Sequence, residues 1–414
     1  MSWRSLVDAL LVALSTVALV PVAVLFVQLV AASLGRRHVQ ATQATQATQA
    51  TQATQATPAK VLGRARLAVL MPAHNEAAGI EPAIRALLPQ LEAGDRLVVV
   101  ADNCSDATAS VAREAGAEVI ERHDGQRRGK GYALDFGVRW LEREPPGMVV
   151  IVDADCIVAP EALQRLASQC EASARPVQAL YLMNSPPNAS LGMRIAEFAW
   201  LVKNKVRPLG SAAFGWPCQL MGTGMAFPWA IIRGAPLASG HLVEDMQLGL
   251  DLARAGTPPG FCAEALVTSQ FPADSEGAKS QRTRWEHGHL SVIASAGPRL
   301  LWRAFVARDA SLAAMVLDVM VPPLASLVLL LLALLLVDAA WMAFGGGALP
   351  LVVVCGSFVL LTAAVLAAWV RHGRHLVALR ELLALPWYVA AKIPVYVRLF
   401  TRRQVEWVRT KRDE

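Results

Sequence analysis

The chain has 414 residues, of which 54% are hydrophobic and only 17% charged, and its net charge is +6. At that length core size is not limiting, and the balance implies membrane segments joined to a soluble part. The modest positive charge lies beside apolar runs and not in basic tracts, which suits lipid head groups and a phosphorylated substrate and excludes nucleic acid as the expected partner. Cys104, Cys156, Cys170, Cys218, Cys262 and Cys355 form no C-x-x-C pair and no zinc spacing, so they read as reduced, mostly packed thiols facing the cytosol.

Residues Leu6–Leu34 are almost uninterruptedly apolar, longer than the roughly 20 residues that cross a bilayer. The run is too long for a signal-peptide core and predicts a retained membrane helix. Arg36, Arg37 and His38, then Lys60, Arg64 and Arg66, come after it, against Arg4 before it. The positive-inside rule therefore places the chain beyond this helix in the cytoplasm. Gln-Ala-Thr repeats six times from Gln40 to Thr57 and ends at Pro58. With no charge and no apolar period, it predicts a flexible spacer.

From Leu67 short apolar runs alternate with helical stretches, which predicts βα units and a mainly parallel sheet. The expected strands are Leu67–Met71, Leu97–Ala101, Glu118–Ile120, Val149–Val152 and Ala179–Met183. Helices are expected at 78–92, 106–115, 130–143 and 245–255. Further on, Ala310–Val337 and Ala348–Val370 form two long apolar runs joined by Phe344-Gly-Gly-Gly347, long enough for a membrane hairpin. Asp318 falls inside the first, where Pro322 and Pro323 suggest an interface that makes the charge cheap. Leu382–Phe400, broken by Pro386, Lys392, Pro394 and Arg398, predicts an interfacial segment with Trp387 and Tyr388 at head-group level, before a charged tail Arg402–Glu414.

One stretch organises the chemistry. Val149-Val-Ile-Val-Asp-Ala-Asp-Cys156 is a buried-strand run ending in two carboxylates one residue apart, at the sheet edge where open α/β folds bind ligands. Side chains at i and i+2 on an extended segment leave the same face, so Asp153 and Asp155 can address one cation and the diphosphate it carries. The competing readings are an Asp-rich loop capping the helix near Pro160, and a phosphatase-type nucleophile pair, which normally closes a chain's first strand. Pro72-Ala-His-Asn-Glu76 after the first strand contains no G-x-G-x-x-G, which speaks against a dinucleotide-binding oxidoreductase.

Other motifs occur in fixed order. They are Asp102 in Ala101-Asp-Asn-Cys-Ser-Asp106, Gly129-Lys-Gly131, Gly222-Thr-Gly224, Glu244-Asp245 and Gln281-Arg-Thr-Arg-Trp285. Lys130 opens a helix, where its charge and the terminal N–H groups meet a phosphate or simply solvent. Glu244 and Asp245 are either functional or ordinary first-turn acids favoured by the helix dipole. Gln281, Arg284 and Trp285 share one helix face; Trp285 offers a stacking surface and Arg284 a bidentate grip on phosphate, or both anchor to lipid.

Together these motifs resemble the membrane-bound glycosyltransferases of family 2, the inverting GT-A type that includes cellulose and hyaluronan synthases. The resemblance covers about residues 65–295. It implies a GT-A α/β domain with a Rossmann-like, mainly parallel sheet, and a nucleotide-sugar donor, UDP-linked by expectation. It implies that Pro72, His74, Glu76, Asp102, Lys130 and Asp153 bind the nucleotide, with Asp102 accepting from the uracil N3–H. Asp153 and Asp155 would hold Mg2+ or Mn2+, Asp155 more directly. Asp245 would be the base that deprotonates the acceptor hydroxyl. Gly222, Thr223, Gly224, Glu244, Gln281, Arg284 and Trp285 would serve the acceptor and diphosphate. Ala101, where relatives often carry a second Asp or another small residue, departs from the pattern.

The chain accordingly divides into an amino-terminal transmembrane helix (1–38), a low-complexity linker (39–64), a cytoplasmic catalytic domain (65–275), interfacial helices (276–308), a transmembrane hairpin (309–372) and an interfacial helix with a cytoplasmic tail (373–414). The expected product is a sugar on a lipid-linked or saccharide acceptor in exopolysaccharide or cell-surface glycan assembly at the inner membrane, with polysaccharide-assembly proteins as partners. A processive polysaccharide synthase and a non-catalytic sugar-nucleotide-binding scaffold are the alternatives.

Overall fold

A computed structural model describes residues 2–34, 64–241, 243–272 and 275–401. Arg36, Arg37, His38, Lys60, the Gln-Ala-Thr repeat and the tail Arg402–Glu414 lie outside the described residues.

Eight strands form one sheet: β1 Leu67–Ala73, β2 Arg96–Asp102, β3 Glu118–Arg122, β4 Met148–Ile151, β5 Ile157–Val158, β6 Val177–Asn184, β7 Met225–Pro228 and β8 Gly260–Gln270. Their order is β3-β2-β1-β4-β7-β6-β8-β5. β3, β2, β1 and β4 run parallel, as do β6 and β8, while β7 lies antiparallel between β4 and β6. The α/β, mostly parallel sheet expected from the alternating pattern is present. Every expected strand is there, β1 and β3 each extending two residues beyond expectation.

The continuous apolar runs in β1, β2 and β4 arise because both faces are covered. On one face Leu67, Val69 and Met71 pack with α2 (Ile80–Leu87), α3 (Thr108–Glu114) and α5 (Ala162–Ser173). On the other, Ala68 and Leu70 pack with Leu134 and Val138 of α4 (Lys130–Leu141) and Leu248 of α9 (Glu244–Arg254). Between these lie α6 (Leu191–Leu201), a π-helical turn at Val202–Val206, α7 (Arg207–Ala213) and α8 (Trp229–Ile232).

Among the described residues three helices are long and apolar enough to cross a membrane: α1 (Trp3–Leu34), α12 (Leu324–Ala343), and α13 (Leu349–Ala368) with its continuation to Gly373. They pack together and onto α6 through Leu25, Leu29, Phe198, Leu331 and Leu361. α10 (Ser275–Ala307) precedes them, and α14 (Leu385–Ala390) and α15 (Ile393–Thr401) follow.

The apolar run Ala310–Val337 is not one membrane segment. It is broken after α11 (Ala310–Val319), because Pro322 and Pro323 lack the N–H groups a helix interior needs. Asp309 caps α11 by accepting from Leu312 N at 2.9 Å. Met315 and Val316 are fully buried against Met246 and Leu250 of α9, so α11 is protein core.

Asp318 on α11 also departs from the cheap interfacial position expected of it. It is buried, with Arg207 Nη2 donating to it at 2.7 Å, Gln28 Nε2 at 2.6 Å and Gln219 Nε2 at 2.6 Å. At Gly210 of α7 a Cβ would overlap the Gln28 carbonyl, so the missing side chain lets α1 reach this knot.

Candidate active site

The site sits at the carboxyl edge of β4. Val152 N still donates to Leu70 O at 3.2 Å, after which the chain leaves the sheet and Asp153 N donates to Thr223 Oγ1 at 3.0 Å. Lys130, the first residue of α4, places its ammonium 2.5 Å from Asp153 Oδ1 and donates to Gly222 O at 2.8 Å. Gly222 has φ +89, a conformation open to glycine at little cost. A Cβ there would stand 3.5 Å from Asp245 Oδ2, 3.5 Å from Lys130 Nζ and 3.9 Å from Asp153 Oδ2. The carboxylates of Asp153 and Asp245 and the Lys130 ammonium thus converge on one small space, although the chain separates 130, 153, 222 and 245 widely.

The electrostatics are those of an acid-rich, half-buried ring around one cation. Burial alone would drive the Lys130 ammonium down, but Asp153, Glu244 and Asp245 together hold it well above the ordinary lysine range. Burial, then the charge of Asp245, pushes the Glu244 carboxyl up to about 7. Burial raises Asp245 as well, against the pull of Lys130 and of the Met246 N–H. These two acids begin α9, as their spacing before its apolar stripe predicted.

Beside this ring, ligand atoms of Asp153, Asp155 and Cys156 lie within 4.8 Å of one another. Burial, reinforced by Asp155 and Asp153, raises the Cys156 thiol far above its usual range, so it stays protonated and lies 3.6 Å from Asp155 Oδ1 as a donor. Two carboxylates without a thiolate form an oxygen set suited to a hard cation.

Residues expected on the nucleotide side gather where β1 and β2 end. His74 Nδ1 donates to Asp102 O at 2.7 Å, Glu76 N donates to Thr108 Oγ1 at 2.8 Å, and Ser105 N donates to Asn75 Oδ1 at 2.7 Å, clasping the two loops. Pro72 pairs with Val100 inside the sheet. The Asp102 carboxylate is buried, its Oδ1 accepting from Arg122 Nη1 at 2.6 Å and Asn103 Nδ2 at 3.0 Å. Gln281, Arg284 and Trp285 lie on α10; Gln281 is buried, and the Trp285 ring packs 4.9 Å from that of Trp200.

Sequence reasoning missed three residues that shape the site. Gln178, fully buried in β6, donates to Thr223 O at 2.9 Å and accepts from Met221 N at 2.8 Å, fixing the Gly222 loop from below. An amide in an apolar strand was its only signal. Arg122 orients Asp102 from the end of β3. Lys203, on the π-helical turn, is close enough to Asp245 for the two charges to act on each other, and nothing in its local sequence indicated that.

Residues 65–288 match the family described as glycosyltransferase like family 2. Among curated proteins, a probable glycosyltransferase, YdaM of Bacillus subtilis, is 27% identical over 55% of this chain and 56% of its own length. The 4,4'-diaponeurosporenoate glycosyltransferase of Staphylococcus haemolyticus is 26% identical over 55% of this chain and 62% of its own. The chain thus spans little more than half the length of these relatives. A solved mannosyltransferase of Pyrobaculum calidifontis, in complex with GDP-Man and Mn2+, superposes with a TM-score of 0.45 at 18% identity, covering 85% of this chain and 98% of that one.

Proposed function

The chain belongs to the glycosyltransferase-like family 2, and from that premise we propose that it transfers a sugar, with inversion, from a nucleotide-diphosphate donor to an acceptor presented at a membrane. The observation that carries this reading is the convergence of Asp153, Lys130 and Asp245 on the space beside Gly222. Asp153 and Asp155 would hold Mg2+ or Mn2+, which would supply positive charge to offset that on the leaving nucleoside diphosphate. Lys130 offers the same diphosphate a fixed ammonium, and the N–H groups opening α4 point the same way. Asp245 takes the proton of the attacking hydroxyl, and its burial in a region of raised carboxyl affinity suits a general base. Glu244 orients the acceptor.

Asp102, held by Arg122, leaves its second oxygen for the N3–H of a uracil, which favours a UDP-linked donor. His74, Glu76 and Pro72 shape the same end, while Gly224, Thr223, Gln281, Arg284 and Trp285 serve the acceptor side. α1, α12 and α13 cross the inner membrane with the sheet domain in the cytoplasm, and α10, α14 and α15 lie along its surface. With three crossings there is little protein to enclose a polymer, which favours a lipid-linked acceptor in cell-surface glycan assembly. The Gln281-to-Trp285 motif favours the second reading, a processive synthase. Incubating membranes with a panel of labelled nucleotide sugars and Mn2+ tests the proposal. One sugar moved to an organic-extractable product supports it, a long polymer supports the second reading, and UDP binding without turnover removes catalysis altogether.

A further inference from the structure

A cavity of about 590 Å³ lies between the sheet domain and the membrane helices, within the size range of small-molecule sites. Phe198 of α6, Leu329 of α12 and Phe358 and Val365 of α13 give it an apolar wall at the depth of the membrane spans. Leu332, which also lines it, is 39% exposed on α12, so the cavity reaches the face that α12 presents to hydrocarbon.

Its inner end is polar, and nearly every charge there is already matched. Arg207 pairs with Asp318, and Glu286 with Lys392. His289 Nε2 donates to Val319 O at 2.7 Å, and burial pushes its ring down to about 3, so it is neutral. Arg282 lies against the Tyr388 hydroxyl. Arg282 and Lys203 are the two lining cations without an ion pair among the described residues, and Lys203 lacks even a hydroxyl partner. Among the described residues its ammonium has no hydrogen bond and no ion pair; the Trp200 ring face lies at 5.6 Å, and Asp245 acts on it at longer range. It sits on the π-helical turn, a feature that often marks functional positions. The Trp200 indole N–H, on the same cavity wall, is buried without a hydrogen-bond partner among the described residues.

We infer that this cavity seats the hydrocarbon chain of a single-chain anionic lipid, whose head group meets Lys203 and is thereby delivered toward Asp245. This rests on the transferase reading, since it names the acceptor of that same site. An apolar tail matches the span-depth wall, and a half-buried ammonium without a hydrogen bond, beside the unmatched Trp200 N–H, calls for an anion. An uncharged chain would leave the Lys203 ammonium without a hydrogen-bonding partner.

The test uses the full chain in nanodiscs, with diazirine-bearing farnesyl phosphate, palmitate and farnesol as probes and peptide mapping of the adducts. Adducts on α12 and α13 around Leu329 and Val365, at least tenfold stronger for the phosphate or the carboxylate than for farnesol, are expected. Whichever of the two labels better identifies the head group. Leu329→Trp should cut labelling at least tenfold, and Lys203→Met should erase the preference over farnesol while Lys203→Arg keeps it. Adducts elsewhere, unchanged labelling of Leu329→Trp, or a preference that survives Lys203→Met would overturn the inference. Equal suppression by phosphatidylglycerol, marking an ordinary bilayer lipid, would overturn it too. Mn2+-dependent UDP binding, measured in parallel, separates the two claims: its loss with correct labelling removes the transferase reading alone, and its retention without labelling removes only the lipid site.

Discussion

Lys130 Nζ lies 2.5 Å from Asp153 Oδ1 while also donating to Gly222 O, so a single ammonium joins the strand-end carboxylate to the glycine loop. Replacing Lys130 with Met leaves Asp153, Glu244 and Asp245 close together without that cation. Breaking a fully buried pair costs about 3–5 kcal/mol when the remaining charge stays unpaired; this pair, its side chains 19% and 30% exposed, is screened by water and should lose about half of that. UDP affinity in the presence of Mn2+ should fall by roughly one to two orders of magnitude, as each 1.4 kcal/mol is tenfold, and Lys130→Arg should recover part of it. Titration calorimetry checks this; unchanged affinity in Lys130→Met would remove the lysine from the diphosphate site.

Asp245→Asn keeps the shape of the side chain and removes its basicity. Transfer should drop by about two to four orders of magnitude, while UDP binding stays within a factor of two, because the proposed base faces the acceptor and not the nucleotide. A parallel loss of UDP affinity in the same variant would contradict its assignment as base.

The pH dependence arises from the raised carboxyls. A base works deprotonated, so activity rises with pH, and burial of Glu244 (up to about 7) and Asp245 moves that rise toward neutrality. The two acids interact, so the limb reports the pair. The rate of transfer should therefore still be climbing between the ordinary carboxylate range and pH 7, and Glu244→Gln should shift the limb downward by removing a neighbouring negative charge. A flat profile across that window would show that neither acid gates the reaction.

Gly222→Ala introduces a methyl group where three charged groups converge, at a backbone conformation that costs a non-glycine residue about 1–2 kcal/mol. The variant should fold with a modestly lowered melting temperature yet lose more than tenfold in transfer. Full activity with the same stability loss would place the reacting sugar elsewhere.

The buried pair Arg207–Asp318, with Gln28 of α1 bound to the same carboxylate, ties the long apolar helix α1 to the sheet domain through α7 and α11. Asp318→Ala leaves Arg207 buried and unpaired and should destabilise the protein by about 3–5 kcal/mol. Arg207→Met combined with Asp318→Leu should recover much of that loss. Thermal melting of the detergent-solubilised chain reads both.

The strand ending in Asp153-Ala-Asp155 was legible because a parallel strand buried on both faces is a continuous apolar run, and its abrupt polar end marks the sheet edge. Lys130 at the start of α4 was legible from the flanking glycines. Ala310–Val337 misled because hydropathy does not distinguish burial in lipid from burial in protein: Met315 and Val316 are as apolar as any span, yet they face Met246 and Leu250. β7 was missed because four residues beside Gly224 carry no period long enough to read. Gln178, Arg122 and Lys203 were invisible for a different reason. Each acts on a residue distant in the chain, and only the fold brings the partners together.

The most direct test of the account is transfer of labelled sugar from a nucleotide donor by purified chain in nanodiscs containing lipid acceptor, with and without Mn2+, for the native protein and Asp245→Asn. Organic-extractable label that requires both the metal and Asp245 is the predicted result. Equal label from Asp245→Asn, or label undiminished by chelation of the metal, would contradict it.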